Sequence, residues 1–207
     1  MSEQPKIEKP IAVLTTEDVI RQFENLFPSP QEMEQIEDLA TIILNSHKFT
    51  DYKTKDELKV IILKARALKI DPLHALNHIH VFQGKVTASA ELQMYLILRS
   101  FPKAIKQFQL NDKACGIVVQ RPGMNEVPFK FSVEDALAAH LCFKDAQGNI
   151  KDKGKNGFYD GSYAKFMQDM LRSRTVSRMA RSIFPDVVQG LSYTPEDFGE
   201  HYTEAGQ

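Results

Sequence analysis

The chain has no tryptophan, only two cysteines, no long apolar run, and no lysine or arginine after Arg181. Cys115 and Cys142 are too few and too far apart for a disulfide framework or a four-cysteine zinc site, so both are expected as reduced thiols in a core. No stretch approaches the roughly eighteen apolar residues of a membrane span, and the opening "MSEQPKIEKP" carries charge where a signal peptide needs an apolar stretch. A cytoplasmic protein with no membrane partner is expected. Also missing are G-x-S-x-G, H-E-x-x-H and the dinucleotide glycine fingerprint. "GNIKDKGKN" fails as a P-loop, because five residues separate Gly148 from Gly154 and Asn156 stands where Ser or Thr is required. The expectation is therefore a protein without a catalytic site, ATP or other cofactor.

What is present is enough apolar residue, 43% of 207, for one sizeable core. The reading divides the chain into a flexible leader over 1–14, a core over 15–191 and a short acidic tail over 192–207. Charge is uneven although the formal total is only −1. Residues 1–40 hold three basic residues against nine acids, a net −6. Residues 41–143 and 144–181 are each +5, and residues 182–207 carry five acids and nothing basic. A basic middle between acidic ends suits a polyanion partner, and equally charge pairing between subunits.

Periodicity and end signals predict helices from Thr16 to about Phe27, over "QEMEQIEDLATIILNS", over "DELKVIILKARALKI" behind a Thr54–Glu57 capping box, and over "PLHALNH" behind Asp71-Pro72. Two β-prone runs meeting at Gln83-Gly84 predict a hairpin, and Ser89 then caps "AELQMYLILRS". Strands are expected at "AIKQFQL", "ACGIVVQ" and "VPFKFS", followed by a short helix opened by Ser132 and Asp135. The fold class is α+β, a small antiparallel sheet with a β-hairpin, surrounded by helices and closed by a long basic C-terminal helix. "FKDAQGNIKDKGKNGFYDGS" reads as a mobile basic loop, and one helix of about twenty residues is expected from Ser162 to Phe184.

On that helix Arg174, Arg178 and Arg181 share a stripe, with Lys165 and Arg172 on another side around Asp169. Charge pattern alone leaves two uses open: pairing with distant acids or a solvated face, and an external anion. Upstream, His74, His78 and His80 are close in sequence, which makes a metal site conceivable, although structural histidines are the favoured reading and no metal is expected.

The segment "RTVSRMARSIFPD" and the block "ALKIDPLHALNHIHVFQGK" together resemble the RecT/Redβ superfamily of phage single-strand annealing proteins. The order of elements over about residues 55–190 is similar too. The resemblance implies ATP-independent binding of single-stranded DNA and annealing of complementary strands to duplex, by a homo-oligomeric ring or helical filament in phage homologous recombination. It also implies work beside a phage 5′→3′ exonuclease in the bacterial cytoplasm. Arg174 and Arg178 match the family's basic residues on its final helix, and Phe158, Tyr159 and Tyr163 fall where the family commonly has aromatics. The chain departs from the pattern in lacking tryptophan and in having "VTASAEL" after the hairpin.

The chemistry of annealing asks for little more than screening of phosphate charge with base edges left free. Arginine forks meet phosphate oxygens in pairs, whatever the base. Lys85 at the hairpin tip and Lys151, Lys153 and Lys155 in the loop are candidates for the rest of a basic channel, with plain solvation the alternative for each. The three aromatics either stack on bases or pack at the helix entrance. Alternative functions are a non-annealing nucleic-acid-binding module and a metal-dependent nuclease centred on the three histidines.

Overall fold

End signals written into the sequence start most of the helices. The structure, a computed structural model, describes residues 27–49, 52–82, 84–154, 157–191 and 193–194. The leader, nearly all of the helix expected from Thr16, Gln83, Lys155 and all but two residues of the acidic tail lie outside them. Where the sequence reads as one core over 15–191, the chain divides after Lys69 into two compact units.

The first unit is a helix pair, α1 (Pro30–Ser46) and α2 (Lys55–Leu68). Each starts with a full capping box: the Ser29 hydroxyl accepts from the Glu32 amide at 3.2 Å while the Glu32 carboxylate accepts from the Ser29 amide at 2.7 Å, and Thr54 and Glu57 repeat the arrangement. Ile36, Ala40 and Ile43 form the buried stripe of α1, and Leu58, Ile61, Ile62, Ala65 and Leu68 that of α2. Met33, expected on the α1 stripe, is exposed. The ion pair from Glu32 to Arg66 joins the start of α1 to the end of α2, and those from Glu37, further along α1, reach Lys55 and Lys59 at the start of α2, so the pair is antiparallel.

The second unit opens with α3 (Pro72–His78), capped by the Asp71 carboxylate on the His74 amide, and the hairpin β1 (Ile79–Phe82) and β2 (Lys85–Ala88). Gly84 turns the hairpin with φ +74°, the left-handed region a tight turn demands. Helix α4 (Ala90–Ser100) follows the Ser89 cap. Strands β3 (Ile105–Leu110), β4 (Ala114–Val119) and β5 (Val127–Ser132) make an antiparallel sheet in that order. Cys115, Ile117 and Val119 alternate into the core from β4, the period-two signature of a half-buried strand. Helix α5 (Val133–Ala138) begins at a Ser132–Asp135 capping box.

Two expectations are corrected in the last third of the chain. The segment read as a mobile loop is a second antiparallel sheet, β6 (Phe143–Lys144), β7 (Ile150–Gly154) and β8 (Gly157–Tyr159). The single helix expected from Ser162 is broken at Phe166, φ −131° and ψ 45°, into α6 (Ser162–Lys165) and α7 (Met167–Ile183). Phe166 is 59% exposed at the break. Pro185 opens the short α8 (Pro185–Val188) instead of merely ending its predecessor.

Helix α7 packs against α4 on one side and against β4 and β5 on another. Leu171, Val176, Met179 and Ala180 meet Ile97, Ile117, Phe131 and Phe184 in one buried cluster. The hydroxylated residues of this helix explain its close seating. Thr175 donates to the Leu171 carbonyl at 2.8 Å and lies 3.4 Å from the Cys115 carbonyl of β4, and Ser173 and Ser177 are buried beside it. Both cysteines are free and buried, and burial pushes the Cys142 thiol up to about 11. Among the described residues no helix is long and apolar enough to cross a membrane.

Candidate nucleic-acid interface

The four arginines of α7 have four different surroundings. Arg174 is buried, 8% exposed, which corrects the expectation of an open row running through 174, 178 and 181. The reason is geometric: α7 is packed between a helix and a sheet, so the stripe is exposed at Arg178 and enters the packed layer at Arg174. Arg172 is held by Glu91 of α4 and, at 3.5 Å, by Asp169, so this guanidinium is neutralised within the protein. Arg181 is half-buried with its guanidinium 4.6 Å from the Tyr193 ring. Arg178 alone is exposed. It lies over the face of Phe131 at 4.5 Å and forms no ion pair among the described residues. A further arginine, missed in the sequence, closes this helix. Arg121, at the end of β4, donates to the Ile183 carbonyl at 3.0 Å, grips Asp186 with two bonds of 2.8 Å, and stacks against Phe101 at 5.0 Å.

The richer arrangement is on the β6–β7–β8 sheet. Phe143 pairs across the strands with Lys151, and Lys153 with Phe158. Since Lys151 and Lys153 are two apart on β7, the strand period sends all four side chains to the same face. Rings and ammonium groups thus alternate over one small surface. Phe143 and Phe158 have centroids 5.9 Å apart, the Lys153 ammonium sits 5.5 Å from the Phe143 ring, and His140 extends the strip at 6.1 Å and 22° from Phe143. Phe158 is 53% exposed. His140, at the end of α5, has φ 55°, a conformation few non-glycine residues adopt and one that histidine tolerates better than most. Lys151 is anchored by Asp160 at 2.6 Å.

The opposite face of the sheet explains its rigidity. Asp152 is buried and accepts from the backbone amides of Tyr163 and Ala164 at 3.3 and 3.1 Å, tying β7 to the start of α6. Gly161 permits this approach, because a Cβ there would fall 2.6 Å from the Asp152 carboxyl carbon and 2.8 Å from the Tyr159 ring. Tyr163, counted among the stacking candidates, belongs to the buried core with 5% exposure and has no face to offer a base. Tyr159 is 46% exposed and pairs with Asp152, so it points away from the strip of rings.

The remaining candidates are dispersed. Lys85 is exposed at the hairpin and Lys165 at the end of α6, while Lys155 lies outside the described residues. His74 and His78 make a tilted ring contact with centroids 4.6 Å apart and planes at 49°, and His78 Nδ1 lies 2.9 Å from the Ser89 hydroxyl at the hairpin base. Burial, followed by the neighbouring His74, holds the His78 imidazole below its ordinary value. Among the described residues no group of three or more histidines, cysteines or carboxylates is positioned to hold a metal ion.

The Phe143 and His140 contributions went unseen in the sequence for a physical reason. The signal was available as two aromatics bracketing a lysine-rich stretch, but only strand register reveals that Phe143 and Phe158, fifteen positions apart, share a face. No family model, curated protein or solved structure matches the chain.

Proposed function

We propose that this protein binds single-stranded DNA along the ring and lysine face of β6–β7–β8 and anneals complementary strands without ATP. The observation that carries the reading is the placement of Phe143, Lys151, Lys153 and Phe158 on one face of the sheet, with Phe158 exposed. Aromatic faces accept any base, and ammonium groups neutralise phosphates without reading sequence, so such a surface suits a strand whose identity must stay open for pairing. Arg178 adds exposed positive charge on α7. Its charge acts on Asp135 at the start of α5, and the six residues of that helix, roughly 9 Å long, lead to His140.

Annealing rather than binding alone is favoured by the resemblance of "RTVSRMARSIFPD" and the upstream proline-turn and hairpin block to RecT/Redβ proteins. The same resemblance supports a homo-oligomeric ring or filament, action in the host cytoplasm, and a 5′→3′ exonuclease of phage recombination as a companion. The test mixes complementary labelled oligonucleotides with the full chain, without nucleotide cofactor and with or without a chelator. Duplex formation faster than the spontaneous rate, insensitive to chelator, is expected. Binding without acceleration would reduce the function to a single-strand-binding module. Chelator-sensitive cleavage would replace it with nuclease activity.

A further inference from the structure

Resting on the single-strand reading above, we infer that the ring strip selects strands by how weakly their bases stack, so that a thymidylate run binds tighter than an adenylate run. Along the strip, His140, Phe143 and Phe158 follow one another at 6.1 and 5.9 Å. Successive bases of a stacked strand are spaced about 3.4 Å apart. A base on each ring must therefore stand nearly twice as far from its neighbour as stacking allows, and the strand gives up base–base contact to gain base–ring contact. Stacking between adjacent adenines is strong and between adjacent thymines weak, so the same ring contacts cost the adenylate run more. Duplex DNA is excluded on stronger grounds, since both faces of each base are already covered.

Lys151 is committed to Asp160 at 2.6 Å and the Lys153 ammonium lies 5.5 Å from the Phe143 ring, so both place positive charge beside the rings, where phosphates would pass. The tilt of 46° between the Phe143 and Phe158 rings also prevents two bases from lying parallel on both rings. Selection by stacking strength leaves the pairing edges of the bases free.

The experiment measures binding of labelled 20-mers of thymidylate and adenylate, and of a 20-base-pair duplex, to the full chain at one fixed salt concentration. Thymidylate is expected to bind about tenfold tighter than adenylate, with duplex weaker than both. The double variant Phe143→Leu, Phe158→Leu keeps apolar bulk but removes both aromatic faces, and the thymidylate-to-adenylate ratio should shrink to within about twofold. Phe158→Ala alone, at a ring already more than half exposed, should shrink it partway and serves if the double variant does not fold. Equal affinity for the two runs in the unmodified protein, or a ratio that persists in the leucine variant, overturns the inference and leaves the single-strand reading standing. Failure to bind either run overturns that reading itself.

Discussion

Helix α7 and the β6–β7–β8 sheet are both conspicuously basic in sequence, yet they use their charge in opposite ways. On α7, Arg174 is buried, Arg172 is paired to Glu91 and Asp169, and Arg181 lies against Tyr193, so most of its positive charge serves the fold. On the sheet, lysines stand on a single face with the half-buried Phe143 and the exposed Phe158. The difference follows from position: α7 is the layer between α4 and the β3–β4–β5 sheet, whereas β6–β7–β8 has only its Asp152 side turned inward. Charge density along a sequence therefore marks a ligand surface poorly until burial is known. An arginine in a packed layer is first a structural group, costly to remove because its stem and its bonds are both lost.

The largest expected effect tests that contrast directly. Arg174→Ala should destabilise the protein by about 2–4 kcal/mol, seen as a fall of roughly 5–15 °C in Tm, because a buried side chain leaves a void and its partners lose their bonds. Arg174→Met, which restores most of the stem, should recover part of that loss. Neither variant, measured where it is folded, should change how DNA affinity depends on salt. A flatter salt dependence in Arg174→Met would put this guanidinium on phosphate and erase the contrast. Next in size, Phe158→Ala should weaken binding of a single strand by about 1–2 kcal/mol while moving Tm by no more than ~2 °C, since the ring is mostly exposed. A large loss of stability there would make the sheet a second structural region.

How much of this was legible beforehand depends on whether the signal was local. Capping boxes at Thr54–Glu57 and Ser132–Asp135, the Asp71-Pro72 start and the Gly84 turn are each complete within four residues, and each gave the observed element. The break at Phe166 has no proline or glycine to announce it. The β6–β8 sheet was hidden because its strands are two, five and three residues long and rich in lysine and glycine, a composition that signals a loop. What makes them strands is remote: the Asp152 carboxylate holding the start of α6, eleven and twelve residues on. Likewise the arginine stripe was correctly periodic, but periodicity says which residues share a face and nothing about what covers it.

Arg178 belongs to the helix but should behave like the sheet. Being exposed and without an ion pair among the described residues, it is the α7 arginine suited to phosphate. Arg178→Ala should flatten the dependence of log affinity on log salt by ~0.7 for one lost phosphate contact, equally for all sequences. An unchanged slope would return Arg178 to the structural group, resting on Phe131.

The smallest effect concerns the carboxylate beside it. The Ser132 amide at 2.8 Å, then the Ser132 hydroxyl, and more weakly the charges of Arg178 and Lys130, hold the Asp135 carboxyl below its ordinary value. A carboxyl whose value is lowered by folding contributes stability above its unfolded value, about 4, and that contribution disappears as pH falls through the folded value. Asp135→Asn should thus be less stable at neutral pH by about 0.5–1 kcal/mol, as for a weakened helix cap, and should lose less stability than the unmodified protein as pH falls below about 4. Removing this carboxylate also removes an anion that partly screens the Arg178 guanidinium, so strand affinity at low salt should rise, by at most about twofold for an exposed charge. That gain should vanish in the Arg178→Ala background, because the carboxylate acts on the strand through the guanidinium it partly screens. If the gain persists there, Asp135 repels the strand directly, and the DNA path runs over α5 rather than along α7.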